Sequence, residues 1–208
     1  MNTMSRLIIN GLVLVFLVSG AVFSAGENKT TLTLFDFEDG DIRWAIHQGS
    51  TNVGGATIIT DTPDKSKYAL ELNPPAHCVI CSVFDKSVWS EAAETCKEED
   101  ILQISFWIKG DNKMSDMVLV LVEEDGDQWI ASVSSVNSEP VPDEWIEIVK
   151  VIKNKEMQTD FRYQPGSGKG ESARKLNIDK MDNFQLTNYT ENERHLIVDR
   201  MELRILEG

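Results

Sequence analysis

The sequence lacks the arrangements that most enzymes need. It has no Gly-x-Ser-x-Gly elbow for a nucleophilic serine and no glycine-rich loop to cradle a phosphate. Histidine occurs only 3 times, and His77 and His195 have no local Cys or Ser nucleophile beside them. Acids are plentiful, but nothing singles out the pair of carboxylates that glycoside hydrolysis requires. These absences argue against catalysis. Positive charge is also scarce. Lys and Arg number 20 against 34 Asp and Glu, a formal net charge of −14. Such a chain is repelled by nucleic acid and by anionic membranes. It remains compatible with neutral ligands and divalent cations.

Long apolar runs are missing as well. The uninterrupted stretch Leu12 to Val18 is far shorter than the roughly 20 residues that span a bilayer. It belongs to a different pattern. Arg6 gives a short positive start, residues 7–23 are almost entirely apolar, and Ser24 and Ala25 close the segment with small side chains. That is the pattern of a secretory signal peptide over residues 1–25. The expectation is a secreted or periplasmic protein whose mature part, residues 26–208, is one domain. No Cys follows the apolar run, so a lipid anchor is not indicated. At 41% apolar residues the chain can bury a core.

Cysteine is limited to Cys78, Cys81 and Cys96. In an oxidising compartment a disulfide is the first expectation. Residues 77–84 read as a strand, which puts positions three apart on opposite faces. Cys78 and Cys81 are therefore poor partners, and the expected bridge runs from Cys96 to one of them. Together with His77 they fit no strong zinc pattern. Ser82 stands where a haem attachment motif needs His.

What the chain does have is many short apolar stretches separated by turn residues. Residues 32–37, 42–47, 56–60, 68–72, 78–84, 101–108, 117–122, 129–136, 145–152, 184–186 and 196–205 read as strands. Glu38-Asp39-Gly40, Gly54-Gly55, Asn73-Pro74-Pro75 and Asp125-Gly126-Asp127 are among the turns between them. Only residues 88–97 read as a short helix. This is the signature of an all-β antiparallel sandwich. Alternation is clearest at residues 102–109, with Leu102, Ile104, Phe106 and Ile108 on one face. Gln103, Ser105, Trp107 and Lys109 occupy the other. A Trp on a polar face is a candidate ligand platform.

Several motifs occur in a recognisable order: Phe35-Asp36-Phe37-Glu38-Asp39-Gly40, Trp44, Gly54-Gly55 and Tyr68-Ala69-Leu70-Glu71-Leu72. Then come Phe106-Trp107-Ile108-Lys109-Gly110-Asp111, Trp145-Ile146-Glu147-Ile148, Leu176-Asn177-Ile178-Asp179 and Ile197-Val198-Asp199-Arg200-Met201. The order resembles that of the galactose-binding-like jelly roll, and within it the carbohydrate-binding modules of family 11. It is also similar to that of the complex I intermediate-associated protein family. The resemblance implies two antiparallel sheets, a carbohydrate-binding concave face and a structural calcium. Its calcium site falls on Asp36, Glu38 and Asp199, and Arg200 departs from the family's second Asp. Trp44 and Trp145 match structural positions.

Sugar recognition needs aromatic faces for C–H surfaces and polar groups for hydroxyls. The candidates are Trp107, Tyr163 with Arg162, Trp129 and His47. Trp129 alternates with Ala131 and Val133, which is also how a core residue reads. Trp89 reads as cover for an edge. The expected function is a non-catalytic module recognising a glucan-type polysaccharide. The alternative is a protein-interaction or assembly domain on the same scaffold, because a fold does not fix a function.

Overall fold

A computed structural model describes residues 27–49, 51–63, 65–82, 86–110, 117–133, 143–153, 159–164 and 176–208, with the side chains of residues 81 and 82 left out. The signal-peptide segment lies outside these residues. The chain is an antiparallel β-sandwich with one short helix. In chain order the strands begin with β1 (Asn28–Phe35), β2 (Trp44–Gln48), β3 (Thr51–Asn52), β4 (Ala56–Ile59), β5 (Ala69–Leu72) and β6 (Cys78–Ser82). The helix α1 (Lys86–Thr95) follows, then β7 (Ile101–Gly110), β8 (Met117–Glu123) and β9 (Gln128–Ser132). After β10 (Ile146–Lys153) and β11 (Arg162–Gln164), a single 3-10 turn at Ile178–Lys180 leads into β12 (Met181–Asn188) and β13 (Leu196–Leu206).

One sheet has six strands in the order β10-β7-β13-β5-β4, with β1 also paired to β13. The other has seven, in the order β11-β9-β8-β12-β6-β2-β3. Alternation decides which side chains fill the space between them. Leu102, Ile104, Phe106 and Ile108 of β7 are fully buried, as their spacing predicts. From the facing sheet come Ile46, Ile80, Leu119, Leu121, Phe184 and Leu186. Phe35, Trp44, Phe184 and Phe106 form a chain of edge-to-face rings across the core, with centroids 5.5, 5.7 and 6.3 Å apart in turn. Such pairs add roughly 0.5–1.5 kcal/mol each beyond their buried area.

Three local expectations need correction. Trp89 does not cover an edge: α1 buries it with Ala92, leaving it 1% exposed. Trp145 is not core: it stands half-buried just before β10, its Nε1 3.4 Å from Asp61 Oδ1. The bridge from Cys96 is absent, since Cys78 and Cys96 are both free. Cys78 faces the core of the seven-stranded sheet, where burial pushes its thiol up to about 11. Cys96 sits just after α1, 3.7 Å from Lys153 Nζ of the other sheet.

Candidate functional site

The sequence-predicted residues do not share a face. Cross-strand register places them in three groups.

The first is the outer face of the seven-stranded sheet. One row across it runs Arg162, Ile130, Val120 and Gln185 to Ala45. The next runs Ser132, Val118, Thr187, Val79 and His47 to Asn52. Gln164, Gln128, Val122 and Asn183 make a third. Val120 and Thr187 point away from the core yet are only 1% and 3% exposed. Both are covered, so the apolar part of this face that stays partly open is half-buried Val79, Val118 and Ile130. On the same face stand exposed Arg162, half-buried His47 and the amides of Gln128, Asn183 and Gln185. The Gln185 amide donates to Asn183 Oδ1 at 2.9 Å, which fixes both groups. Arg162 and His47 were candidates from the sequence, and these amides were not. Val79, Val118, Val120 and Val122 read only as strand formers, and the rows across the sheet depend on register.

The second group lies on the outer face of the six-stranded sheet. Trp107 is half-buried there, as its alternation predicts, between Asp199 of β13 and Glu147 of β10 in register. Lys109 on the same face pairs with Asp61 at 2.7 Å, and Trp145 donates to the other oxygen of that carboxylate. The Lys109 ammonium, aided by the indole, holds Asp61 below the usual carboxylate range.

Asp199 is the most unusual group on this side. It is 0% exposed, and no hydrogen bond of ordinary geometry closes on either oxygen. Burial pushes its carboxyl up to about 6, with nearby Glu38 adding to the rise and Ser66 and Arg200 opposing it. A buried, unpaired carboxylate is expensive, and either a proton or a bound cation relieves it. The register slips between Asp199 and Glu202, where Arg200 takes φ +43°. Asp36 and Glu38 are not on a strand, although residues 32–37 read as one. β1 ends at Phe35, and buried Phe37 has φ +58°, so the two acids flank it in a turn. Asp36 accepts from the Glu38 amide at 3.2 Å. Glu38 accepts from the amides of Lys67 and Tyr68 at 2.7 and 3.3 Å, which brings it toward Asp199.

The third group surrounds the β8–β9 turn. Trp129 is core rather than platform: it is 4% exposed, and its Nε1 donates to Glu123 Oε1 at 2.7 Å. Tyr163 stands opposite it on the edge strand β11, half-buried, with ring centroids 5.4 Å apart. Its hydroxyl donates to Asp127 Oδ1 at 3.2 Å. Glu123 also accepts from the Asn177 amide and side chain, at 2.9 and 3.1 Å. Glu123 and Asp127 are buried, and exposed Asp125 completes an acidic triad whose ligand atoms lie within 4.8 Å of one another. This triad can hold a metal ion. Its spacing, acids at alternate positions around Gly126, was legible in the sequence, where it registered only as a turn.

No protein-family model matches the sequence, and no curated protein matches it. Solved structures do. One is a family 11 carbohydrate-binding module from Clostridium thermocellum, in complex with a β-1,3-1,4-mixed-linked tetrasaccharide. It aligns at a TM-score of 0.57 and 18% identity, covering 83% of this chain and 94% of the module. The family 30 module of a Clostridium thermocellum cellulosomal cellulase aligns at 0.54 and 12%, covering 84% and 96%. An exo-β-agarase aligns at 0.56 and 16%, covering 85% of this chain and 26% of that one. The fold is therefore the jelly roll of these modules, as the sequence motifs implied.

Proposed function

We propose that this chain is a non-catalytic carbohydrate-binding module that holds a glucan-type polysaccharide across the outer face of the seven-stranded sheet. The observation that carries this reading is the grouping on one sheet face of Arg162, His47 and the amides of Gln128, Asn183 and Gln185 with half-buried Val79, Val118 and Ile130. Sugar hydroxyls need donors and acceptors in fixed positions, and their C–H faces need apolar contact. Guanidinium, imidazole and amides supply the first, the partly exposed Val79, Val118 and Ile130 supply the second, and Tyr163 stands at the rim. The structural likeness to modules that accompany cellulases supports the assignment. Binding of this kind needs no group of special reactivity, which suits a sequence without catalytic motifs.

A second surface has its own support. Trp107 and Trp145 are both half-buried on the opposite face, beside Asp61, Lys109 and Glu147. An aromatic face next to fixed charges also suits a sugar ring. The two surfaces are separated by affinity electrophoresis against soluble mixed-linkage β-glucan, xyloglucan and agarose. Loss of retention in R162A and Q185A with W107A unchanged supports the seven-stranded sheet. The opposite result moves the site to Trp107. No retention of the wild type on any glycan would sink the carbohydrate reading and favour a protein-interaction domain on the same scaffold.

Calcium is part of the proposal. Asp199 is a buried carboxylate with unfilled oxygens, and Glu38 of the turn headed by Asp36 approaches it. Hard oxygen donors of this kind suit calcium. The ion would tie the β1–β2 turn to the last strand, a structural role away from the sugar face. Export is also proposed, on the pattern of residues 1–25, and is tested by N-terminal sequencing of the mature protein.

A further inference from the structure

We propose a second cation site, distinct from Asp199, in which Glu123, Asp125 and Asp127 of the β8–β9 turn bind calcium beneath the Trp129–Tyr163 pair. Acid clusters are common without ions, so the weight falls on Asp127. It is 0% exposed, and its Oδ2 has no hydrogen-bond partner. A carboxylate taken out of water with an empty oxygen implies a missing partner. Two more carboxylates, with ligand atoms within 4.8 Å, stand around it. No described ion pair reaches any of the three, so their charge is uncompensated among the described residues.

Each of the three carboxylates keeps accepting capacity. Each carboxylate oxygen can accept twice. Glu123 Oε1 is filled by Trp129 and the Asn177 amide, while Oε2 accepts once and keeps a lone pair. Asp127 Oδ1 accepts from Tyr163 and keeps one, and Oδ2 keeps both. Asp125 Oδ1 accepts from the Asp127 amide at 3.1 Å, leaving the rest of an exposed carboxylate toward solvent. Backbone geometry fixes the spacing: Gly126 takes φ +89° and donates to the Glu123 carbonyl, while the Glu123 amide donates to the Asp127 carbonyl. The donors are all carboxylate oxygens, with no Cys or His among them, which selects a hard divalent ion over zinc. Water at the open Asp125 side would complete the larger shell that calcium takes. Because Tyr163 and Trp129 each bond a ligand, the ion would also fix the edge strand β11 and its Arg162.

The test uses full mature protein stripped of metal, in wild-type and D199N forms. Calcium is titrated by calorimetry, and terbium by emission excited through tryptophan, which Trp129 is placed to sensitise. The site predicts one saturable calcium event surviving in D199N, with terbium emission that calcium displaces. Adding D125N weakens that event roughly tenfold or more through loss of a charged ligand. D125N is the primary variant because Asp125 is exposed, so folding survives. D127N, checked by circular dichroism, abolishes the event. Absence of any calcium heat or terbium emission in D199N overturns the site, as does equal calcium affinity with and without D125N. A single wild-type event removed by D125N but kept in D199N would support this site and refute the one at Asp199.

Discussion

Replacing Asp199 with Asn is expected to stabilise the metal-free protein at neutral pH, an unusual outcome for a buried position. The carboxyl lies at about 6 in the folded chain against an ordinary 3.8. The folded state therefore holds the proton more tightly than the unfolded state does. For a raised acid the stability is greatest at low pH, declines as pH climbs from about 4 to 6, and carries the full penalty above that. Two units correspond to about 3 kcal/mol. In a protein of this size that is roughly 6–12 °C in Tm. Asn carries no charge, so D199N in chelator should melt above wild type at pH 7.5 and lose most of that advantage at pH 4.5. Any cost of burying the amide is the same at both pH values and cancels in the comparison. Calcium at a thousandfold excess over Kd reverses the order, because only the wild type gains the ion at Asp199, worth about 4.1 kcal/mol against the penalty of about 3. Thermal unfolding followed by circular dichroism at the two pH values, with EGTA or calcium, measures all of this. Equal destabilisation of D199N at both pH values in EGTA would refute the reasoning.

Phe106→Ala, which empties a fully buried ring site between Ile104 and Ile108, should cost about 3–5 kcal/mol and show as a lower urea midpoint. In native protein treated with Ellman's reagent, Cys96 should react first and Cys78 only on unfolding, since Cys78 is buried with its thiol raised to about 11. Fast labelling of Cys78 would place β6 differently. Arg162→Ala should reduce glycan retention without moving Tm by more than about 0.5 kcal/mol's worth, because Arg162 is exposed.

The fold was legible because its elements announce themselves locally. Residues 101–108 and 196–205 alternate or run apolar, and their strands appear within two residues of those limits. β3 and β11 escaped because two or three residues cannot show a period. β12 was read only at Phe184–Leu186, since its outward positions carry Asn183, Gln185 and Thr187. Trp129 illustrates the limit at the site. Its alternation with Ala131 named the buried face, and composition alone had kept it among the sugar candidates. Trp89 was misplaced because the sequence gives a helix's period but not what that helix packs against. The unpaired state of Asp199 is a property of three segments far apart in the chain, so its residue type was predictable and its electrostatics were not.

β13 pairs with β7 along its whole length, with β5 at its start and with β1 at its end. The first strand thus waits for the last. Until residues 196–206 are made, β7 and β5 have no shared neighbour and the six-stranded sheet cannot close. Contacts between distant parts of a chain form slowly, and β13 is made after every other described strand of the two sheets. The six-stranded sheet therefore stays open until β13 is made and closes around it. Disrupting a few residues of β13 should therefore do more damage than disrupting as many of β1, since β1 lines one border of β13 while β13 joins three strands.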